Sequence, residues 1–143
     1  MKIVETELWH LKYLEDRYPE TGFGSLDKAC LTSIAYTGFI DEEPIGMAGI
    51  MTMWPGVGEA WALITDQARG QALSMHRAVY RIMNDSNTWD EFHRVQCVVL
   101  VGDSKALHWA EHLGFKAEGL LSDYDSNKVS YIRMARLRNG CSI

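Results

Sequence analysis

The chain has 143 residues, 47% of them hydrophobic and 23% charged, with a formal net charge of −5. That size and balance fit one soluble globular domain over 1–143 with a real core, and they argue against disorder and against a nucleic-acid-binding surface as the main role. Cys30, Cys97 and Cys141 are too few and too scattered for a disulfide framework or a zinc ribbon, and a charged N-terminus without any membrane-length apolar stretch points to a reducing, cytoplasmic setting with no membrane role.

Residues 2–5, KIVE, read as a short strand. Leu8, Leu11, Leu14 and Tyr18 recur at helical spacing and predict a helix over 6–17, broken by Pro19, Gly22 and Gly24. Ser25 can cap a second short helix, SLDKACL. Residues 32–40, TSIAYTGFI, alternate and read as a strand. Asp41-Glu42-Glu43-Pro44 is a polar turn, 45–51 the returning strand, 54–58 a second turn, and 59–65, EAWALIT, a further strand. From about Gly70 the period becomes helical, with Ala72, Met75, Val79, Ile82 and Met83 on one face and 84–87 as the stop. The apolar run 94–101 reads as a buried strand with parallel neighbours. A short helix follows, then strands over 116–121 and 128–137. The order β-α-α-β-β-β-α-β-α-β-β is mixed α/β.

The short helix, DSKALHWAEHLGF, has two readings. His108, Glu111 and His112 spell H-x-x-E-H, the spacing of one class of zinc peptidases. Histidines at i and i+4 do share a helix face. But Gly114 stops the helix two residues after His112, and only 31 residues remain to supply a third ligand. Ala106, Trp109, Ala110 and Leu113 form the apolar stripe, which leaves the histidines at its flanks. No metal is assigned.

In the other reading Asp103 is an N-cap, and Gly114 with Phe115 forms a glycine C-terminal stop. Asp103-x-x-Ala106, then Leu113-Gly114-Phe115-Lys116-Ala117-Glu118-Gly119 after a buried strand, resembles the C-terminal half of the GNAT superfamily of acyl-CoA-dependent N-acyltransferases. Other pieces follow in the family's order. Asp41-Glu42-Glu43-Pro44-Ile45-Gly46 resembles its second-to-third strand turn. Gln67-Ala68-Arg69-Gly70-Gln71-Ala72 fits its Q/R-x-x-G-x-G/A signature, and Tyr131-Ile132-Arg133-Met134 resembles the Y-x-M of its last strand. The resemblance covers residues 32 to 137. A narrower one, carried by 33–38 and 61–65, is to small acetyltransferase-like proteins of tailed bacteriophages.

The resemblance implies a GNAT fold: a mixed, mostly antiparallel central sheet with helices on both faces. It implies transfer of an acetyl group from acetyl-CoA to a small-molecule or peptide amine, by direct attack in a ternary complex. A splayed fourth strand would pair its backbone with the pantetheine arm, here through Leu63, Ile64 and Thr65. The signature turn, Gln67, Ala68, Arg69, Gly70, Gln71 and Ala72, would hold the pyrophosphate at a helix N-terminus, although Thr65 or Asp66 can equally be read as a plain helix cap there. Asp103 and Ala106 complete the cofactor set. Glu59, the only carboxylate of its strand, is the candidate general base, against the plainer reading of a solvated strand-end glutamate. The family's acidic tyrosine position is Ala110, which leaves His108 as substitute and Tyr124 as a loop alternative. The turn has one glycine and no proline, and Asp66 brings the wrong charge for phosphate. Those departures favour a rival: a non-catalytic acetyltransferase-like module, such as a virion or regulatory protein. Trp54, Trp61, Trp89 and Trp109 read as core before cleft. Family members often dimerise, so a homodimer stays open.

Overall fold

Leucines at helical spacing bury one side of α1 (Leu8–Arg17), where Leu11 and Leu14 are 6% and 0% exposed. The computed structural model describes residues 1–21 and 34–140. The expected helix over 25–31 lies outside them, as do the first two residues of the strand expected over 32–40. The remaining elements are β1 (Lys2–Glu5), a 3₁₀ turn (Pro19–Thr21), β2 (Ile34–Ile40), β3 (Glu43–Trp54), β4 (Val57–Ile64), a 3₁₀ turn (Asp66–Gln71), α2 (Ala72–Asn84), α3 (Ser86–Glu91), β5 (Arg94–Leu100), α4 (Ser104–His112), β6 (Lys116–Leu121) and β7 (Tyr131–Leu137).

Seven strands form one sheet in the order β1-β2-β3-β4-β5-β7-β6. The pairs β1–β2, β2–β3, β5–β7 and β6–β7 are antiparallel, and β4–β5 is parallel. The buried run 94–100 therefore has one parallel neighbour instead of the two expected. By contact the chain divides into two compact units. One comprises Met1–Thr52 and Ala60–Asn84; the other comprises Met53–Glu59 and the described residues from Asp85 on.

In the first unit, Leu11, Leu14 and Met47 make a core on which Tyr13, Tyr18, Trp61 and Leu63 pack. The β2–β3 turn is tighter than the four residues expected. Only Asp41 and Glu42 form it, both with positive φ (48° and 70°), the handedness that suits two-residue hairpins. Pro44 is already in β3, opposite Phe39 at a bulge, where its missing N–H is tolerated.

In the second unit, Phe92, Val95, Val99, Leu113, Phe115 and Met134 are all under 9% exposed; each such side chain contributes about 1.5–3 kcal/mol of apolar burial. The turn before β4 shrinks to Pro55-Gly56. Gly56 has φ +85°, its carbonyl accepts from the N–H groups of His93 and Arg94, and a Cβ there would run into the His93 ring. Residues 84–87 do end one helix, but Asp85 also starts α3 by accepting the Asn87 N–H at 2.9 Å. β7 begins at Tyr131, three residues later than expected, because Asp125 Oδ1 accepts the N–H groups of Asn127 and Val129 and holds Lys128 at φ +61°. Among the described residues no helix is long and apolar enough to cross a membrane.

Candidate active site

Glu59 stands at the end of the β4–β5 ladder, which consists of Val57↔Arg94, Gly58↔Val95 and Glu59↔Gln96. Its carboxylate is gripped on both oxygens. Arg133 Nη1, from β7, donates to Oε1 and Oε2 at 2.9 Å each, and Gln96 Nε2 donates to Oε1 at 3.1 Å. The Glu59 and Arg133 side chains are each 20% exposed. The network runs on across the strands. Arg94 Nε donates to Gln96 Oε1 at 2.9 Å, and the Arg94 guanidinium forks onto Glu118 of β6 at 3.0 and 2.5 Å. That hydrogen-bonded guanidinium holds the Glu118 carboxyl below the usual carboxylate range. Burial, helped by Glu59 and opposed by Arg133, pushes the nearby Cys97 thiol up to about 12. A thiol held that high is no nucleophile at neutral pH.

The two acid candidates part company here. Arg133 Nη2 reaches Tyr124 Oη at 3.5 Å, the limit of a hydrogen bond, and the Tyr124 ring meets Tyr131 edge-on. Tyr124 is thus joined to Glu59 through one guanidinium. His108 is exposed on α4 and bonds to none of these groups. Ala110, at the family's tyrosine position, is buried at 7% exposed. The members of this cluster that sequence reading missed are Arg133, Gln96, Arg94 and Glu118. A signal existed: Gln96 and Arg133 are polar interruptions of otherwise apolar strands, VQCVV and YIRMA.

The downstream motif resolves into helix capping. Asp103 Oδ1 accepts the Ala106 N–H at 3.0 Å, so each of these two expected cofactor residues engages the other. Gly114 has φ +94° and its N–H bonds to Glu111 O, while Phe115 N–H bonds to Ala110 O. His112 is exposed like His108, and among the described residues no group of three His, Cys, Asp or Glu side chains could hold a metal ion.

The signature turn belongs to the first unit. Leu63 and Ile64 close β4, half-buried. Thr65 is 2% exposed, and both its N–H and its Oγ1 donate to Ile45 O, at 3.0 and 2.6 Å. Its hydroxyl therefore anchors the turn to β3 and does not cap a helix. Gly46 of the hairpin motif is explained by the same junction, since a Cβ there would lie 3.2 Å from Leu63 O. From Asp66 to Gln71 the turn is 3₁₀, with Ala68 buried, and the α-helix starts only at Ala72, two residues later than expected. Gln67, Arg69 and Gly70 lie in that turn, with Gln67 and Gly70 exposed and Gln71 half-buried. Nothing lies within 4 Å of a Cβ built on Gly70, and its φ is not positive. The protein's own packing therefore does not require glycine at 70, whereas close approach of a ligand to the backbone does. The turn thus fits a phosphate group, with the thirteen-residue α2 behind it adding a favourable dipole. Asp66, exposed in the first turn, favours the same dipole and competes with an anion.

No protein-family model matches the sequence, and no curated protein does. Solved structures do. A chimera of the spermidine N-acetyltransferase SpeG from Vibrio cholerae and hSSAT superposes with TM-score 0.74 at 18% identity, over 97% of this chain and 98% of that one. The spermidine/spermine N-acetyltransferase SpeG from Vibrio cholerae in complex with manganese ions superposes with TM-score 0.73 at 18% identity, over 96% and 92%. The chain therefore has the fold of these N-acetyltransferases, a GNAT fold with a seven-stranded, mostly antiparallel sheet and helices. The likenesses add nothing in favour of the narrower resemblance to tailed-phage proteins.

Proposed function

We propose that this chain is an acetyl-CoA-dependent N-acetyltransferase acting on an amine. The observation that carries the reading is the three-residue β4–β5 ladder. It ends at Glu59↔Gln96, while β4 continues to Ile64 and β5 to Leu100. A strand whose ladder stops short in this way can pair its backbone with an extended ligand. In this reading the backbone at Leu63 and Ile64 takes the pantetheine arm, Thr65 anchors the end of that strand because its own N–H is spent on Ile45 O, and the turn Gln67, Ala68, Arg69, Gly70, Gln71 and Ala72 takes the pyrophosphate. Asp103 and Ala106 act indirectly, by fixing the start of α4.

Acetyl-CoA supplies a thioester whose carbonyl an amine can attack directly. Glu59 accepts the proton that the amine sheds, through a water, with Arg133 and Gln96 fixing the carboxylate's direction. Tyr124 is a better acid toward the departing thiolate than His108, because only Tyr124 is tied to Glu59 through Arg133. Glu59→Gln should lower turnover strongly near neutral pH and leave cofactor affinity intact. The acceptor is a small-molecule or peptide amine. Spermidine is the first to test, given the structural neighbours.

A second reading, a non-catalytic binding module, draws on Ala110, on Asp66 and on the full occupation of Glu59 by Arg133. Calorimetric titration of CoA and acetyl-CoA separates the two. Saturable one-to-one binding that is lost in Gly70→Glu, with melting temperature unchanged, supports the enzyme. Absence of binding to the folded protein at millimolar ligand favours the module. Unchanged affinity in Gly70→Glu removes the phosphate assignment.

A further inference from the structure

Trp61 sits in β4, two residues beyond Glu59. Its ring packs on Leu11, Leu14 and Met47, and it lies so near Gly49 that a Cβ there would be 2.9 Å from Trp61 Cζ2. Its Nε1 is buried, and no protein group among the described residues accepts from it. No other buried side-chain nitrogen or oxygen in the described residues is in that position. Indole N–H can only donate, buried tryptophans ordinarily find it an acceptor, and an unmet buried donor is destabilising. Phenylalanine would supply a smaller aromatic ring without that cost. Among the described residues the donor thus has no packing role.

The same strand runs on into Leu63, Ile64 and Thr65 and the Gly70 turn, where acyl-CoA binding is proposed above. We infer that Trp61 Nε1 is a ligand-binding donor, which hydrogen-bonds a carbonyl oxygen of the acyl donor lying along β4. The inference rests on that reading of the cofactor site. It adds a side-chain contact to what the strand's backbone can offer. Two carbonyls qualify: a pantetheine amide, present in CoA and acetyl-CoA alike, and the thioester carbonyl, present in acetyl-CoA alone. Because Nε1 is covered in the free chain, the indole turns to meet the ligand, and its N–H changes environment on binding.

The test is a titration of ¹⁵N-labelled protein with CoA and then with acetyl-CoA. The chain has five tryptophans, and the Trp61 indole resonance is the one missing from Trp61→Phe. Binding should shift the backbone amides around Gly70 and move the Trp61 indole N–H more than the other four. A shift with both ligands assigns the pantetheine amide; a shift with acetyl-CoA alone assigns the thioester. Trp61→Phe, with its spectrum showing it folded, should bind the assigned ligand about fivefold to tenfold more weakly, the effect of one lost hydrogen bond. Shifts at Gly70 with a stationary Trp61 indole overturn this inference and leave the cofactor site standing. A spectrum unmoved by either ligand overturns both.

Discussion

Replacing Arg133 by methionine tests whether Glu59 is held by the ion pair or merely beside it. Arg133 Nη1 lies 2.9 Å from each carboxylate oxygen, and each side chain is 20% exposed. An exposed pair contributes about 0.2–1 kcal/mol, and a hydrogen bond to a charged group contributes about 1.5–3 kcal/mol. With most of both side chains covered, the coupling should fall at the lower end of the second range, at about 1.5–2 kcal/mol. Arg133→Met alone leaves the carboxylate with Gln96 as its remaining donor, so its cost should be larger, about 2–3 kcal/mol. For a urea slope of about 2 kcal/mol/M that lowers the unfolding midpoint by about 1–1.5 M. The assay is a double-mutant cycle in urea at neutral pH with Arg133→Met, Glu59→Gln and the double variant. The double variant should lose little more than Arg133→Met alone. A coupling below about 0.3 kcal/mol would refute the claim that the pair orients Glu59.

His10 is 1% exposed, its Nδ1 accepts the Glu7 N–H at 3.0 Å and bonds Thr37 Oγ1 at 3.0 Å, and burial holds its pKa below the usual imidazole value against the pull of Glu7. The unfolded chain therefore takes up this proton first, at about pH 6.5. Stability that is full above that pH should decline below it, so melting temperature should fall more steeply from about pH 7 to 5 in the wild type than in His10→Gln; parallel profiles would assign the slope to other groups. Glu118→Gln should cost less than about 1 kcal/mol at low salt, because the Arg94–Glu118 pair is partly exposed. The loss should vanish near 1 M salt, whereas a salt-independent loss would mean packing. Gly114→Ala should cost about 1–2 kcal/mol, since φ is +94° and an added Cβ would sit 2.9 Å from Arg136 Cδ. Gly70→Ala should stay within about 0.5 kcal/mol of wild type, and thermal unfolding that ranks the two the other way would contradict the turn geometry described here.

Features governed by local chemistry were readable in the sequence. Leucine spacing gave α1, Asp103 and Gly114 bracketed α4, and alternation gave the β2–β3 hairpin. The errors have local causes too. α3 was hidden because Asp85 sits in a cluster that reads as a helix stop, while the side chain that ends one helix can cap the next. Six residues also carry too little periodicity to stand out. The start of β7 was misread because Val129 looks like strand, while Asp125 holds its N–H in a turn. Of the candidate site, Glu59 was legible, being the one carboxylate in its strand. What surrounds it was not, because Gln96 and Arg133 lie 37 and 74 residues away and meet it only through strand pairing. No local pattern records that a strand near the end of the chain pairs between two earlier ones. Nor does any composition reveal that the Trp61 N–H lacks an acceptor among the described residues.

That late strand has a consequence for biosynthesis. β7 is the final described strand, yet it lies between β5 and β6 and pairs with both. A nascent chain leaves the ribosome N-terminus first. α1 and the β2–β3 hairpin therefore have their partners early, whereas β5 and β6 wait beside an empty place until Tyr131–Leu137 has been made. During that interval two strand edges are open to pairing with other chains, the condition that folded sheet proteins guard against. A stop codon just ahead of Tyr131 would make the interval permanent, so truncation there should yield an aggregating product and not a shortened but folded one.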